Sequence, residues 1–394
     1  MKIGLLPRLL IGIAIGIGVG TWASAAQSFS VIKFLATFNS IFGNFLKYMV
    51  PFIIIGFVAP GIAELGRKAS KMLGITTLIA YISSIGAGFL AFFAGAAILP
   101  SLINQGTASD PSEGLSAPFF QIAIPPMFDV MTALVTAFVL GLGMAAINSD
   151  ALYKVLKDFQ GIVELVIKKV IIPILPFHIA GTFANMASAG QIVATMNVFA
   201  GLFALLLGLQ VVWILVQYLV AFAYTGKNPA IALKNMLPAY LTALGTQSSA
   251  ATMPITLTST RKNDIDEDIV DFVIPLCATI HLAGDVIALT IMSMGVMMMA
   301  GITPTLEMML PFILMLGVMM VAAPGIPGGG VMASLGILEN MLGFNPNQLT
   351  MMIALHLTQD SFGTATNVTG DGALALILNK LNKKTSKEPI DGML

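Results

Sequence analysis

The sequence predicts an all-α integral membrane protein of eight transmembrane helices plus two opposed re-entrant helical hairpins, arranged as inverted repeats. Three observations predict it. Of the 394 residues, 57% are hydrophobic and only 10% charged, where a soluble domain carries roughly 25% charge. Eight apolar runs reach the length of about 20 residues that crosses the hydrocarbon core. Two further apolar stretches are interrupted at their centres by residues that end helices.

The first run, Leu5 to Ala26, has a basic start and the length of a signal peptide. No small-residue cleavage site leads from it into a soluble domain, so it reads as a retained first helix. The others are Phe45 to Glu64, Met72 to Leu99, Met127 to Ile147, Val163 to Met186, Ile192 to Tyr224, Ile269 to Ala300 and Gln348 to Asn379. Pro229 to Thr260 is broken at Gly245, Thr246, Gln247, Ser248 and Ser249, and Leu306 to Leu342 is broken between Ala322 and Gly330. Lipid offers no partner to the backbone groups such breaks release, so they must line a cavity or bind something. Lys234 and Arg261 bracket the first stretch on one side, while the second lies between ends on the other. Both therefore read as hairpins entering from opposite faces, the pattern in which broken helices meet at a central site. A plain surface loop is the other reading of the Gly-Pro stretch, but it would move the tail's lysines to the opposite face. Ser248 and Ser249 can cap a helix end whether or not they also face a ligand.

Cations set the orientation. Lys2, Arg8, Arg67, Lys68, Lys71, Lys154, Lys157, Lys227, Lys234, Arg261, Lys262, Lys380, Lys383, Lys384 and Lys387 fall on one side. The opposite loop from Ser101 to Ala117 carries Asp110 and Glu113 and no cation. The positive-inside rule then predicts a multi-pass cell-membrane protein with both termini cytoplasmic. The net charge of +0 says nothing about partners, and no nucleic acid is expected. Cys277, the single cysteine, excludes an intrachain disulfide or a cysteine metal cluster. No nucleophile and base pair suggests an enzyme.

Within the last run, His356, Asp360, Thr364, Asn367 and Asp371 are spaced i, i+4, i+8, i+11 and i+15. Each residue turns a helix by about 100°, which puts all five on one face. Two carboxylates and an imidazole in hydrocarbon cost several kcal/mol unless they meet a cavity, an ion or a ligand, so the stripe reads as a functional site.

The serine-containing hairpin, Ala278-Thr279-Ile280 in the seventh span, the Pro-Gly-rich hairpin and Asn367-Val368-Thr369-Gly370-Asp371 together resemble the dicarboxylate/amino acid:cation symporters, the glutamate-transporter fold. The resemblance covers most of the chain, most firmly from Pro229 onward. It implies that Asp360 receives the ammonium of an amino acid and that Asn367 and Asp371 belong to a cation site. Thr279 stands beside a second cation and the substrate. Ser248 and Ser249 hold the α-carboxylate, Gly325, Pro327 and Gly329 form the tip of an outer gate, and Thr364 lies among the substrate contacts. It further implies scaffold helices in 1–71 and 118–190, a third helix of the moving part in 72–100, and the remaining moving part in 191–394 with hairpins at 229–260 and 306–342. A homotrimer follows by resemblance alone, as does a coupling cation, Na+ or H+, without other cofactor.

The departures bear on specificity. The family's Asn-Met-Asp-Gly-Thr reads His281-Leu282-Ala283-Gly284-Asp285 here, so a third sodium site of the usual kind is in question. Gly363 and Gln247 stand where acidic-substrate members place an arginine. Without a guanidinium to pair with a side-chain carboxylate, and with Asp285 in place of a hydroxyl, the pocket is expected to take a small neutral amino acid. Asp285 would accept from a side-chain hydroxyl or pair with a cationic group. His281, in the cation-site position, and His356 are candidates for proton coupling; a histidine neutralising Asp285 structurally is the competing reading. A dicarboxylate symporter of the same fold, a divalent-metal transporter using the His and Asp residues, and a channel are the alternatives.

Overall fold

The computed structural model describes residues 5–67, 71–103, 114–323 and 327–385. All regular structure among them is helical: α1 (Leu5–Ala25), α2 (Phe29–Arg67), α3 (Lys71–Leu102), α4 (Val130–Ala146), α5 (Asp150–Val166), a π-helical turn (Ile167–Ile171), α6 (Ile172–Ser188), α7 (Ile192–Thr225), α8 (Pro229–Thr246), α9 (Ser249–Arg261), α10 (Glu267–Ile280), α11 (Ala283–Met299), α12 (Leu306–Val321), α13 (Gly329–Leu342) and α14 (Pro346–Thr385). Gly325, Lys2, Lys68, Asp110, Glu113 and Lys387 lie outside the described residues.

Five helical runs are long and apolar enough to cross a membrane, and α4 and α12 are shorter apolar helices. The 40-residue α14 is not among the five, because its polar stripe lowers its hydropathy while the fold buries it. Three boundaries differ from the sequence expectation. The second helix begins at Phe29, since Asn39 there is bound by Thr182 and Thr37 accepts from the Phe119 backbone; polar residues with partners need not end a helix. The expected run from Val163 to Met186 crosses the π-helical turn at Lys168 and Lys169, where Pro173 and Pro176 remove backbone donors downstream. Lys154 and Lys157 lie on the helix α5 before it. The expected seventh run is two helices, α10 and α11, parted at His281 and Leu282. Conversely, α14 passes unbroken through Gly370 and Gly372, so no carbonyl is released there for an ion.

Residues with open or polar side chains fix the helix ends. Asn228 caps α8 ahead of Pro229, Asp129 caps α4, and Gly226 and Gly343 end α7 and α13 in the left-handed conformation, which glycine adopts without strain. The closest helix contact is that of α1 on α6. A Cβ added at Gly12, Gly16 or Gly20 would stand 2.6, 2.3 or 2.1 Å from the backbone oxygen of Pro176, Ala180 or Ala184, so only glycine permits this approach. At the other extreme α11 is buried along its whole length, walled by α3, α7 and α14. Its broken start is where the polar residues gather.

Candidate functional site

The helix pair α8 and α9 is parted only by Gln247 and Ser248, α13 begins at Gly329 after α12 ends at Val321, and a third interruption separates α10 from α11. Each break leaves helix-end N–H groups to be satisfied. Side chains of α14 reach two of them. Asn367 Oδ1 accepts from the Gly284 backbone N–H at 2.7 Å, closing the first turn of α11. Asp360 Oδ2 accepts from the Gly328 N–H at 2.8 Å, at the start of α13, where a carboxylate is favoured by the helix dipole. The third tip caps itself: Ser248 accepts from the Ala251 N–H, and the preceding Gln247, at φ +53, donates to Ser361 on α14 at 2.9 Å.

Asp285 sits in the first turn of α11 with both oxygens engaged. His356 Nε2 lies 2.8 Å from Oδ1, and Asn367 Nδ2 donates to Oδ2 at 2.7 Å. His281, at the break itself, donates from Nδ1 to Asp371 Oδ1 at 2.8 Å. Its Nε2 faces Ser83 Oγ at 3.0 Å and the Gln217 amide nitrogen at 3.2 Å. The amide can only donate, which fixes the ring proton on Nδ1. Asp371 Oδ2 is buried with no hydrogen-bond partner. Such an atom is costly in a protein interior unless something positive meets it.

A cavity of about 20 Å³ lies among Gln247, Ser248, Ser249, Asp285, Asp360, Thr364 and Asn367, about the room one water needs. Ser248, Ser249, Asp285, Asp360, Thr364 and Asn367 are thus brought together. Thr279 is not with them: its hydroxyl donates to Leu276 O, and it lines a separate cavity of about 570 Å³ beside Glu64, Lys157 and Ala250. Asp371 and His281 do not line the small cavity, and Pro327 and Gly329 flank Gly328 without lining it. Asp285, His356 and Asp360 place three metal-ligating atoms within 4.8 Å of one another, but Asp285 and His356 spend theirs on each other.

Sequence reasoning passed over Gln210 and Gln217 on α7. Gln210 donates to Gln359 on α14 at 2.9 Å and to the Gly284 carbonyl at 3.3 Å, while Gln217 donates to Ser83 at 2.9 Å. Two glutamines seven residues apart in an apolar span share one helix face, the same signal that marks α14. His178 is buried on α6 between Asn39 Oδ1 at 3.1 Å and Thr350 Oγ1 at 2.9 Å.

An all-helical membrane bundle whose broken helices enclose a buried polar cavity defines a membrane transporter. The chain belongs to the sodium:dicarboxylate symporter family, whose profile matches residues 5–381. It is 26% identical over 389 residues to the serine/threonine transporter SstT of Acinetobacter baumannii, covering 94% of this chain and 95% of that protein. The serine/threonine transporter SstT of Streptococcus suis is 27% identical over 346 residues, 84% of this chain and 93% of its own. Excitatory amino acid transporter 1 of Ambystoma tigrinum is 28% identical over 271 residues, 66% of this chain and 49% of its own.

Proposed function

We infer that the protein is a cation-coupled symporter for a small amino acid with an uncharged side chain, working by alternating access. One observation carries the reading: the small cavity offers a carboxylate, Asp360, and the serine-capped start of α9, with no lysine, arginine or histidine among its lining residues. An ammonium pairs with Asp360, an α-carboxylate suits the N-terminus of a helix, and a second substrate carboxylate finds no cation. Relatives that carry the name serine/threonine transporter support the same substrate class over a dicarboxylate or a divalent metal. The cavity is smaller than an amino acid, so loading requires the α12–α13 tip to separate from Asp360. The 570 Å³ cavity beside Ala250 supplies an approach.

Asp371, with its unpartnered Oδ2, is the group a coupling Na+ would meet, and His281, bonded to its other oxygen, is the group a coupling H+ would occupy. The assembly we favour is a homotrimer in the plasma membrane with cytoplasmic termini. Residues 1–71 and 118–190 form the scaffold, and 72–100 and 191–394 form the part that moves, with re-entrant hairpins at 229–260 and 306–342. Uptake into proteoliposomes under imposed sodium or proton gradients tests this. Alanine, serine or threonine should accumulate, and Asp360→Asn should cut uptake about 100-fold, the loss of a charge-assisted contact. A preference for succinate or glutamate, or intact uptake by Asp360→Asn, overturns it.

A further inference from the structure

Two carboxylates, Asp285 and Asp360, line the small cavity, yet they are held very differently. Asp285 is enclosed on three sides. His356 occupies Oδ1 at 2.8 Å, and Asn367 occupies Oδ2 at 2.7 Å. The α13 backbone covers the remaining approach so closely that a Cβ on Gly330 would stand 2.6 Å from Oδ1. The Asn367 amide is itself fixed by the Gly284 N–H. His356, Asp285, Asn367 and Gly284 thus form a closed chain that crosses between α14 and α11. Asp360 has one bond, from the Gly328 N–H to Oδ2, and among the described residues its other oxygen accepts none. That bond comes from the tip that must move to admit a solute, so Asp360 is open to substrate when Asp285 is not.

A lone buried carboxylate beside the substrate would attract a second cationic group, and two free carboxylates in one pocket would select a diamino acid. What prevents this is the imidazole. His356 is fully buried, and its Nδ1 has no partner, so its one directed bond is the one to Asp285. We propose that His356 is a specificity-determining positioning residue: it withholds Asp285 from the substrate, leaves Asp360 as the single open carboxylate, and thereby admits amino acids with uncharged side chains and excludes diamino acids. This rests on the amino-acid reading above and names the group that sets its substrate class.

The test is uptake of serine, ornithine and diaminopropionate by the full chain in proteoliposomes, compared among wild type, His356→Leu, His356→Gln and the double variant His356→Leu/Asp285→Asn. Releasing a carboxylate to pair with an ammonium is worth about tenfold or more. The ratio of diaminopropionate to serine uptake should therefore rise about tenfold in His356→Leu. It should return toward the wild-type ratio in His356→Gln, whose amide N–H still reaches Asp285, and in the double variant, which has no carboxylate to release. If His356→Leu is not recovered in the membrane, His356→Asn, polar but too short to reach Asp285, takes its place with the same expected rise. An unchanged ratio, or an equal loss of both substrates that His356→Gln does not rescue, overturns the inference. A wild type that takes serine while the variants keep its ratio overturns the inference alone; a wild type that takes no amino acid overturns the functional reading and this with it.

Discussion

His281 meets Asp371 and His356 meets Asp285, each across 2.8 Å and each buried, yet the two pairs end differently. In the first, the ring is satisfied on both sides, by Asp371 and by Ser83 and Gln217, and the carboxylate keeps an unpartnered oxygen. In the second, the carboxylate is satisfied on both sides, and the ring keeps an unpartnered nitrogen. The first pair leaves an acceptor for a cation; the second leaves none. A buried hydrogen-bonded pair by itself says little about net stability, so these unmatched atoms are the better guide to what each pair does.

The largest expected effects come from deleting the carboxylates. Asp371→Ala leaves His281 Nδ1 buried without an acceptor, and an unsatisfied buried donor costs about 1–3 kcal/mol. Melting in lipid nanodiscs should show that loss, and gradient-driven uptake should fall below detection. Asp285→Ala should destabilise comparably, because it strands His356 Nε2 and Asn367 Nδ2 together, but sodium or proton titration of any residual uptake should show an unaltered ion requirement. The same altered ion requirement in both variants would erase the distinction between the pairs.

A gentler contrast uses two glycines. At Gly370 a Cβ would stand 2.6 Å from Gln217 Oε1 and 2.9 Å from His281 Cε1, while at Gly330 it would stand 2.6 Å from Asp285 Oδ1. Crowding of this kind costs about 1–3 kcal/mol. Gly370→Ala should move the half-saturating coupling-ion concentration several-fold and leave serine selectivity alone. Gly330→Ala should move serine affinity several-fold and leave the ion response alone. Crossed results would show that the two pairs act as one network.

The smallest effect belongs to an exposed pair. Lys227, between α7 and α8, lies 2.8 Å from Asp264, in the loop after α9, at side-chain exposures of 44% and 85%. The Lys227 hydrogen bond and charge hold the Asp264 carboxyl below its usual range. Its contribution is therefore present above the ordinary aspartate range and fades as pH falls through the lowered one. Solvent screens such pairs, so Lys227→Ala should leave melting temperature and uptake at neutral pH unresolved from wild type. A clear drop would mean that this loop couples to the buried pairs.

Much of this was legible in the sequence for physical reasons. Charge spacing on α14 revealed the stripe because a polar residue in an apolar span must face something. The run from Gly245 to Ser249 marked the boundary between α8 and α9, and the Gly-Pro run fell between the end of α12 and the start of α13, because such residues end helices. The break at His281 was not legible: Ile280 and Leu282 are as apolar as their neighbours, and only Asn367, arriving from α14 to cap Gly284, makes an interruption affordable there. Nor could spacing reveal that Asp285 spends both oxygens on α14 side chains, since the partner atoms are more than 70 residues away. The glutamines of α7 were legible in principle, by the argument that found α14. The place of Thr279 on the wall of the larger cavity, with its hydroxyl bonded to Leu276 O, depends on packing that no local pattern encodes.

The glycine contact between α1 and α6 bears on how the chain is made. Helices α2 to α5 separate the two partners in the sequence, so α1 enters the membrane long before Pro176, Ala180 and Ala184 exist to receive Gly12, Gly16 and Gly20. Contacts so distant along the chain form slowly, and a helix with three glycines on one face gains little by packing on lipid instead. A chain halted before α6 would therefore carry this glycine seam unmatched.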